Sequence, residues 1–171
     1  SSSLKVQHET LPLEGLRNVA DKAGITVDYA RGYVGDLGRV QDGMKAEQDL
    51  SDSRTPEQLI EEAVNKAKDA DYVVFFGGLN KAPGQDCEDA DREALELPYG
   101  QDKVIEALAK ANPNLVVVNI SGNAVAMPWV NEVPAIIQTW YLGSETGNSL
   151  ADVLLGYTNP SGRLPFTFPR K

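Results

Sequence analysis

Apolar positions along this chain repeat with two periods, one helical and one extended. Over residues 12–23, Leu13, Leu16, Val19 and Ala20 fall at helical spacing. Pro12 suits the first turn and Gly24 a C-cap, so a helix is predicted there. Residues 25–30 alternate and are rich in β-branched types, which predicts a strand. Thr55 before Pro56 reads as an N-cap, and Leu59, Ile60, Ala63, Val64 and Ala67 give the following helix its apolar face. Residues 72–76 predict a strand that stops at Gly77-Gly78. Residues 100–111 predict a helix with Val104, Ile105, Leu108 and Ala109 on one face, ended by Asn112-Pro113-Asn114. Residues 115–120 form a continuous apolar run, the mark of a strand buried on both sides. Residues 133–141 predict a further strand. A helix carrying Leu150, Ala151, Val153, Leu154 and Leu155 follows Asn148, and a short strand is expected over 164–168.

Strand, polar loop and helix thus recur in order. That pattern predicts an α/β fold, a three-layer α/β/α sandwich with a mostly parallel, flavodoxin-like sheet. Residues 32–54, rich in Gly, Asp and Ser, are expected to be a long surface loop and not a domain boundary, because too little chain precedes them to fold alone. In a parallel sheet the loops after 72–76, 115–120 and 133–141 leave from one edge, where open α/β sheets place ligands. Residues 86–92, 121–123 and 140–148 are therefore expected to line one surface.

The chain has 171 residues, enough for one domain with its own core, and 42% of them are hydrophobic. No apolar run is long enough for a membrane span. A net charge of −9 argues against nucleic acid, whose phosphates call for a basic footprint. Cys87 is the only cysteine, so no internal disulfide can form. His8 is the only histidine and lies in a polar stretch, which argues strongly against a Ser-His-Asp triad and a multi-histidine metal site.

The unusual stretch is the loop after Gly77-Gly78. About twenty residues without apolar periodicity carry Asp86, Glu88, Asp89, Asp91 and Arg92, and loops of that length in a compact domain are usually functional. A dinucleotide site is disfavoured because the glycines do not open directly into a helix, and no phosphate-binding loop motif occurs. A calcium site is disfavoured because the EF-hand order of ligands is missing. Acid–base chemistry fits better: crowded carboxylates repel, and one with a raised pKa can donate a proton near neutral pH. Trp140 and Tyr141 at the same edge have the shape to stack on a sugar, or else simply to pack.

A set of ordered motifs then stands out: Phe76-Gly77-Gly78-Leu79-Asn80, Glu88-Asp89-Ala90-Asp91-Arg92, Leu95-Glu96-Leu97-Pro98, Gln101, Ala111-Asn112-Pro113-Asn114, Ser121-Gly122-Asn123, Met127-Pro128-Trp129, Trp140-Tyr141-Leu142-Gly143-Ser144-Glu145, Gly147-Asn148, Ala151-Asp152-Val153-Leu154 and Asn159-Pro160-Ser161-Gly162-Arg163-Leu164-Pro165. From about residue 10 onward the chain resembles the second, α/β-sandwich domain of glycoside hydrolase family 3, which includes β-glucosidases and β-xylosidases.

The resemblance implies a retaining glycosidase acting on terminal β-linked sugars, without cofactor or metal. It also implies an upstream barrel domain that supplies the aspartate nucleophile. The second domain contributes the general acid/base from a Glu-Gly-x-Asp-Arg motif, whose Glu corresponds to Glu88. Asp91 and Arg92 match the end of that motif and are expected to hold the loop as an ion pair. Position 89 departs from it, with Asp in place of Gly; Asp tolerates left-handed backbone better than most residues.

Residues 1–171 are accordingly expected to be a single sandwich domain of a larger glycosidase, inactive alone, with residues 81–91 loosely held. Its expected partners are a β-glucoside or β-xyloside and the barrel domain, not nucleic acid or membrane. The alternative reading is a noncatalytic carbohydrate-binding or structural domain.

Overall fold

The structure is a computed structural model and describes residues 6–35, 50–87 and 91–170. Four helices, α1 (Pro12–Ala23), α2 (Pro56–Lys68), α3 (Gln101–Ala111) and α4 (Thr146–Leu154), accompany three strands, β1 (Val73–Gly78), β2 (Leu115–Ile120) and β3 (Ala135–Gln138). The sheet is parallel throughout, in the order β1-β2-β3. This is the α/β sandwich that the alternation of periods predicts.

The register explains the core. Phe75, Val117 and Ile136 stand side by side across the sheet and so share one face. They pack with Ala63 and Ala67 of α2, with Val104, Ile105 and Leu108 of α3, and with Val125, Met127 and Trp129. Each buried Val, Leu, Ile, Phe or Met side chain among them contributes roughly 1.5–3 kcal/mol. Trp129 is fully buried, and its indole N–H donates to Asp102 Oδ1 at 2.7 Å, which satisfies the one polar group of the ring.

The local signals for helices translate directly. Thr55 and Gln58 form a reciprocal capping box at α2, the Thr55 hydroxyl accepting from the Gln58 N–H at 3.3 Å and the Gln58 side chain accepting from the Thr55 N–H at 2.9 Å. Gly24 ends α1 in the left-handed conformation. Asn112 does more than end α3. Its buried amide donates to Ala67 O and Ala70 O at 2.8 and 2.7 Å, closing the C-terminus of α2. Helices α1 and α4 cross so closely that a methyl group on Gly15 would lie 2.1 Å from the Gly147 carbonyl carbon. Backbone bonds from Thr10 N to Ser144 O and from Gly147 N to Thr10 O, both 2.9 Å, lock this crossing.

Several strand predictions need correction. Residues 25–30 form no strand. Ile25 and Tyr29 are exposed, the Ile25 N–H returns to Ala20 O, and the Tyr29 N–H is taken by Asp28. The segment is held by Lys66 Nζ on Asp28 Oδ1 and Tyr29 O. It reaches β1 through the Tyr33 hydroxyl on Phe76 O, not through a ladder. Residues 164–168 form no strand either. Phe166 and Phe168 stack at 5.4 Å and meet the Trp140 ring, so alternation there builds an aromatic cluster. β1 runs on through Gly77-Gly78, while β3 is shorter than predicted, because Trp140 with φ 54° turns the chain away just beyond it. Helix α4 begins at Thr146, inside the predicted loop. Of the predicted loop 32–54, residues 36–49 lie outside the described residues, and the rest is neither helix nor strand.

The far stem of that loop carries an ionic cluster. Asp52, its side chain 10% exposed, accepts from Arg54 Nη2 at 2.7 Å and Arg31 Nη1 at 3.2 Å. Bonding to Arg54 above all, from guanidinium and backbone, holds the Asp52 carboxyl well below the usual carboxylate range. A depressed folded pKa contributes stability above the unfolded value of about 3.9 and loses it as pH falls further. The melting temperature is therefore expected to drop below pH 4, and Asp52→Asn is expected to flatten that part of the profile. An unchanged profile in the variant would show that the cluster carries no folding energy.

Candidate active site

The end of β1 explains the glycine pair. Gln101, at the start of α3 and fully buried, accepts from the Gly78 N–H at 2.7 Å and donates to the Gly78 carbonyl at 2.9 Å. A methyl group on Gly77 would lie 2.2 Å from the Gln101 Oε1. The glycines make room for an amide that finishes the strand, which accounts for them without a phosphate ligand. The chain then enters the acidic loop, and its described half is tied down. Asn80 accepts the Asp86 N–H at 3.0 Å through its carbonyl and the Ala82 N–H at 2.7 Å through its side chain. Gln85 accepts the Asn80 N–H at 2.9 Å and donates to the Tyr99 hydroxyl at 2.6 Å. Within the segment 81–91, expected to be loosely held, the Ala82, Gln85 and Asp86 N–H groups are thus tied by hydrogen bonds to Asn80 and Ala82.

All three strand-end loops meet at Asp86. Its Oδ2 accepts from the Gly122 N–H and from the Tyr141 hydroxyl, each at 2.6 Å, and its Oδ1 from the Asn123 amide at 2.7 Å. Gly122 and Asn123 follow β2, and Tyr141 follows β3. Of the residues expected to line one surface, Asp86, Gly122, Asn123 and Tyr141 come together there, Ser121 is buried beneath them, and residues 88–90 lie outside the described residues. Tyr141 is half exposed; burial of its hydroxyl and then its bond to the Asp86 carboxylate hold its pKa far above the ordinary tyrosine range, so it remains a hydrogen-bond donor. Asp86, accepting from three donors, ties the three loops together.

Beneath the surface lies an amide network. Asn119 donates to the Ser121 hydroxyl at 2.9 Å and to Gln138 Oε1 at 2.5 Å. Gln138 donates in turn to Ser121 O at 2.8 Å, and the Ser121 hydroxyl donates to Asn123 O at 2.8 Å. This chain joins the ends of β2 and β3 to the turn that holds Asp86. Gln101 stands among the ordered motifs of the sequence but without a role, and Asn119 and Gln138 carry no sequence expectation beyond their strands. Asn119 was findable, as the one polar residue in an otherwise apolar strand.

Glu88 and Asp89 lie outside the described residues. Asp91 is exposed, and no ion pair joins it to Arg92 among the described residues. Arg92 spends its guanidinium on carbonyls instead, with Nη1 on Ala124 O at 2.5 Å and Nη2 on Leu95 O at 3.1 Å. The expected pair is replaced because a planar fork of donors satisfies two backbone acceptors at once. Trp140 packs on Phe166 at 5.5 Å, so its ring serves packing, while Tyr141 faces the surface.

A parallel α/β sandwich with polar loops gathered at the C-terminal ends of its strands belongs to the broad class of domains that work at that edge. Within that class, all of residues 1–171 match the glycosyl hydrolase family 3 C-terminal domain, and the chain belongs to this family. The chain is similar to β-glucosidase BoGH3A of Bacteroides ovatus, with 50% identity over the whole chain but only 22% of the relative. It is 48% identical to β-glucosidase B of Emericella nidulans over 66% of the chain and 13% of that protein. Among solved structures it resembles β-glucosidase EmGH1 of Erythrobacter marinus, with a TM-score of 0.76 and 32% identity over 95% of the chain and 23% of that structure. It also resembles a Kluyveromyces marxianus β-glucosidase solved with glucose, with a TM-score of 0.66 and 37% identity over 71% of the chain and 14% of that structure. The chain thus spans about a fifth of the length of the most similar of these relatives.

Proposed function

We propose that this chain is the acid/base-bearing domain of a retaining β-glycosidase that removes terminal non-reducing β-linked sugars, with Glu88 as general acid/base. The observation that carries the reading is the convergence of three strand-end loops on Asp86, two residues before Glu88. The relatives' names as β-glucosidases, one of them solved with glucose, support a β-glucoside as substrate. In this chemistry the acid protonates the departing glycosidic oxygen, and the same group then takes a proton from the water that releases the sugar. The nucleophile belongs to the barrel domain, and no metal or cofactor takes part.

Two measurements test the proposal. The isolated chain is expected to leave a nitrophenyl β-glucoside intact, since it lacks the nucleophile; nitrophenolate release above the buffer rate would overturn that part. In the full-length glycosidase, Glu88→Ala is expected to be rescued by azide with a β-glycosyl azide as product, because a small anion needs no general base. Wild-type turnover by Glu88→Ala would overturn the role of Glu88.

A further inference from the structure

Asp86 and Arg92 bracket residues 87–91, and both reach across to the same short segment, 122–124. Asp86 holds Gly122 N and the Asn123 side chain, and Arg92 holds Ala124 O. The two stems of the loop are therefore pinned side by side to one turn. That turn is itself fixed from below by the Ser121 hydroxyl on Asn123 O and by Asn119 and Gln138. Little slack remains on the Asp86 side, because its N–H is held by Asn80 O. At Gly122 a methyl group would come 3.1 Å from the Tyr141 ring and 3.3 Å from Asp86 Oδ2, so the turn closes against the carboxylate.

Resting on the reading of Glu88 as acid/base, we infer that Asp86 is a positioning residue for that group. Its carboxylate, held by Gly122, Asn123 and Tyr141, fixes one stem of the segment that bears Glu88, while Arg92 fixes the other. Three donors from two other loops converge on this one side chain: the Gly122 N–H, the Asn123 amide and the Tyr141 hydroxyl. A charge that merely solvated the loop would have no need of this geometry. Asp86 thus acts through Glu88, by holding the stem of its segment in place.

The test compares kcat/KM of the full-length glycosidase on cellobiose, whose leaving group needs protonation, and on a dinitrophenyl β-glucoside, whose leaving group does not. Asp86→Ala is expected to lose about 10–100-fold on cellobiose, as misplacement of a catalytic group by an ångström does, and much less on the activated substrate. Azide is expected to give no rescue, because the Glu88 carboxylate remains. Tyr141→Phe removes a single hydroxyl from a half-exposed ring and is expected to shift activity in the same sense by about 3–10-fold. Added to Asp86→Ala it is expected to do nothing further. If Asp86→Ala does not accumulate as folded enzyme, Tyr141→Phe carries the comparison. Equal losses on both substrates, or no loss, overturn the positioning role. Wild-type kcat/KM on cellobiose for Glu88→Ala overturns the parent reading instead, so the two failures are distinguishable.

Discussion

Replacing Glu88 with alanine in the full-length enzyme is expected to lower kcat/KM on cellobiose by roughly 10²–10⁴-fold, the usual contribution of a positioned general acid. At about 1.4 kcal/mol per factor of ten, that is about 3–5.5 kcal/mol of transition-state stabilisation. The alkoxide leaving from cellobiose is a poor leaving group, so the whole benefit of proton donation is lost with the carboxyl. A dinitrophenolate leaves unaided, and kcat/KM on its glucoside is expected to fall by no more than about tenfold. The alkaline limb of the kcat/KM profile, which reports the acid in the free enzyme, is expected to disappear in the variant. If Asp86→Ala shows this pattern and Glu88→Ala does not, the proton donor is Asp86 and the assignment is wrong.

The second large effect is expected on stability. Gly78 ends β1 with φ 140°, a backbone conformation that side chains resist, and a methyl group there would sit 1.9 Å from the Ile120 carbonyl oxygen. Gly78→Ala therefore combines backbone strain with a collision against backbone that cannot rotate away, and about 3–5 kcal/mol of destabilisation is expected. For a chain of this length each kcal/mol moves the melting temperature by about 2–4 °C, so a fall of roughly 10 °C should be seen. Gly84 is the control. It also has positive φ, 79°, but nothing lies within 4 Å of a methyl group there. Gly84→Ala is expected to cost only about 1 kcal/mol. Equal effects at the two positions would mean that the close approach of β1 and β2 at Gly78 is relieved cheaply.

The contrast between these glycines shows where sequence reading stops. Both stand in the same acidic region, and residue type alone treats them alike. What separates them is the neighbouring strand, whose Ile120 carbonyl lies against one and not the other. The same holds for Gln101. As a helix-starting residue it is unremarkable by pattern, yet its amide completes β1 because the register sets Gly78 beside the start of α3. Strand prediction failed for residues 25–30 and 164–168 for a related reason. Alternation signals a half-buried extended segment, but a strand exists only where a ladder partner is in register, and side chains held these segments instead.

Local physics was enough to determine much of this protein. Helix caps at Thr55 and Gly24, the apolar faces of α1 to α4 and the buried run of β2 follow from contacts within a few residues, so the pattern alone gave four helices, the three parallel strands among five predicted, and an edge where their loops gather. The ordered motifs also gave the glycoside hydrolase family 3 resemblance. Only the tertiary structure decided how that edge is built: Asp86 as the junction of three loops, Arg92 on carbonyls instead of on Asp91, and Trp140 in an aromatic cluster while Tyr141 meets Asp86. Each of these bonds joins residues far apart in the chain, and their geometry depends on sheet register and loop path, which no local spacing encodes.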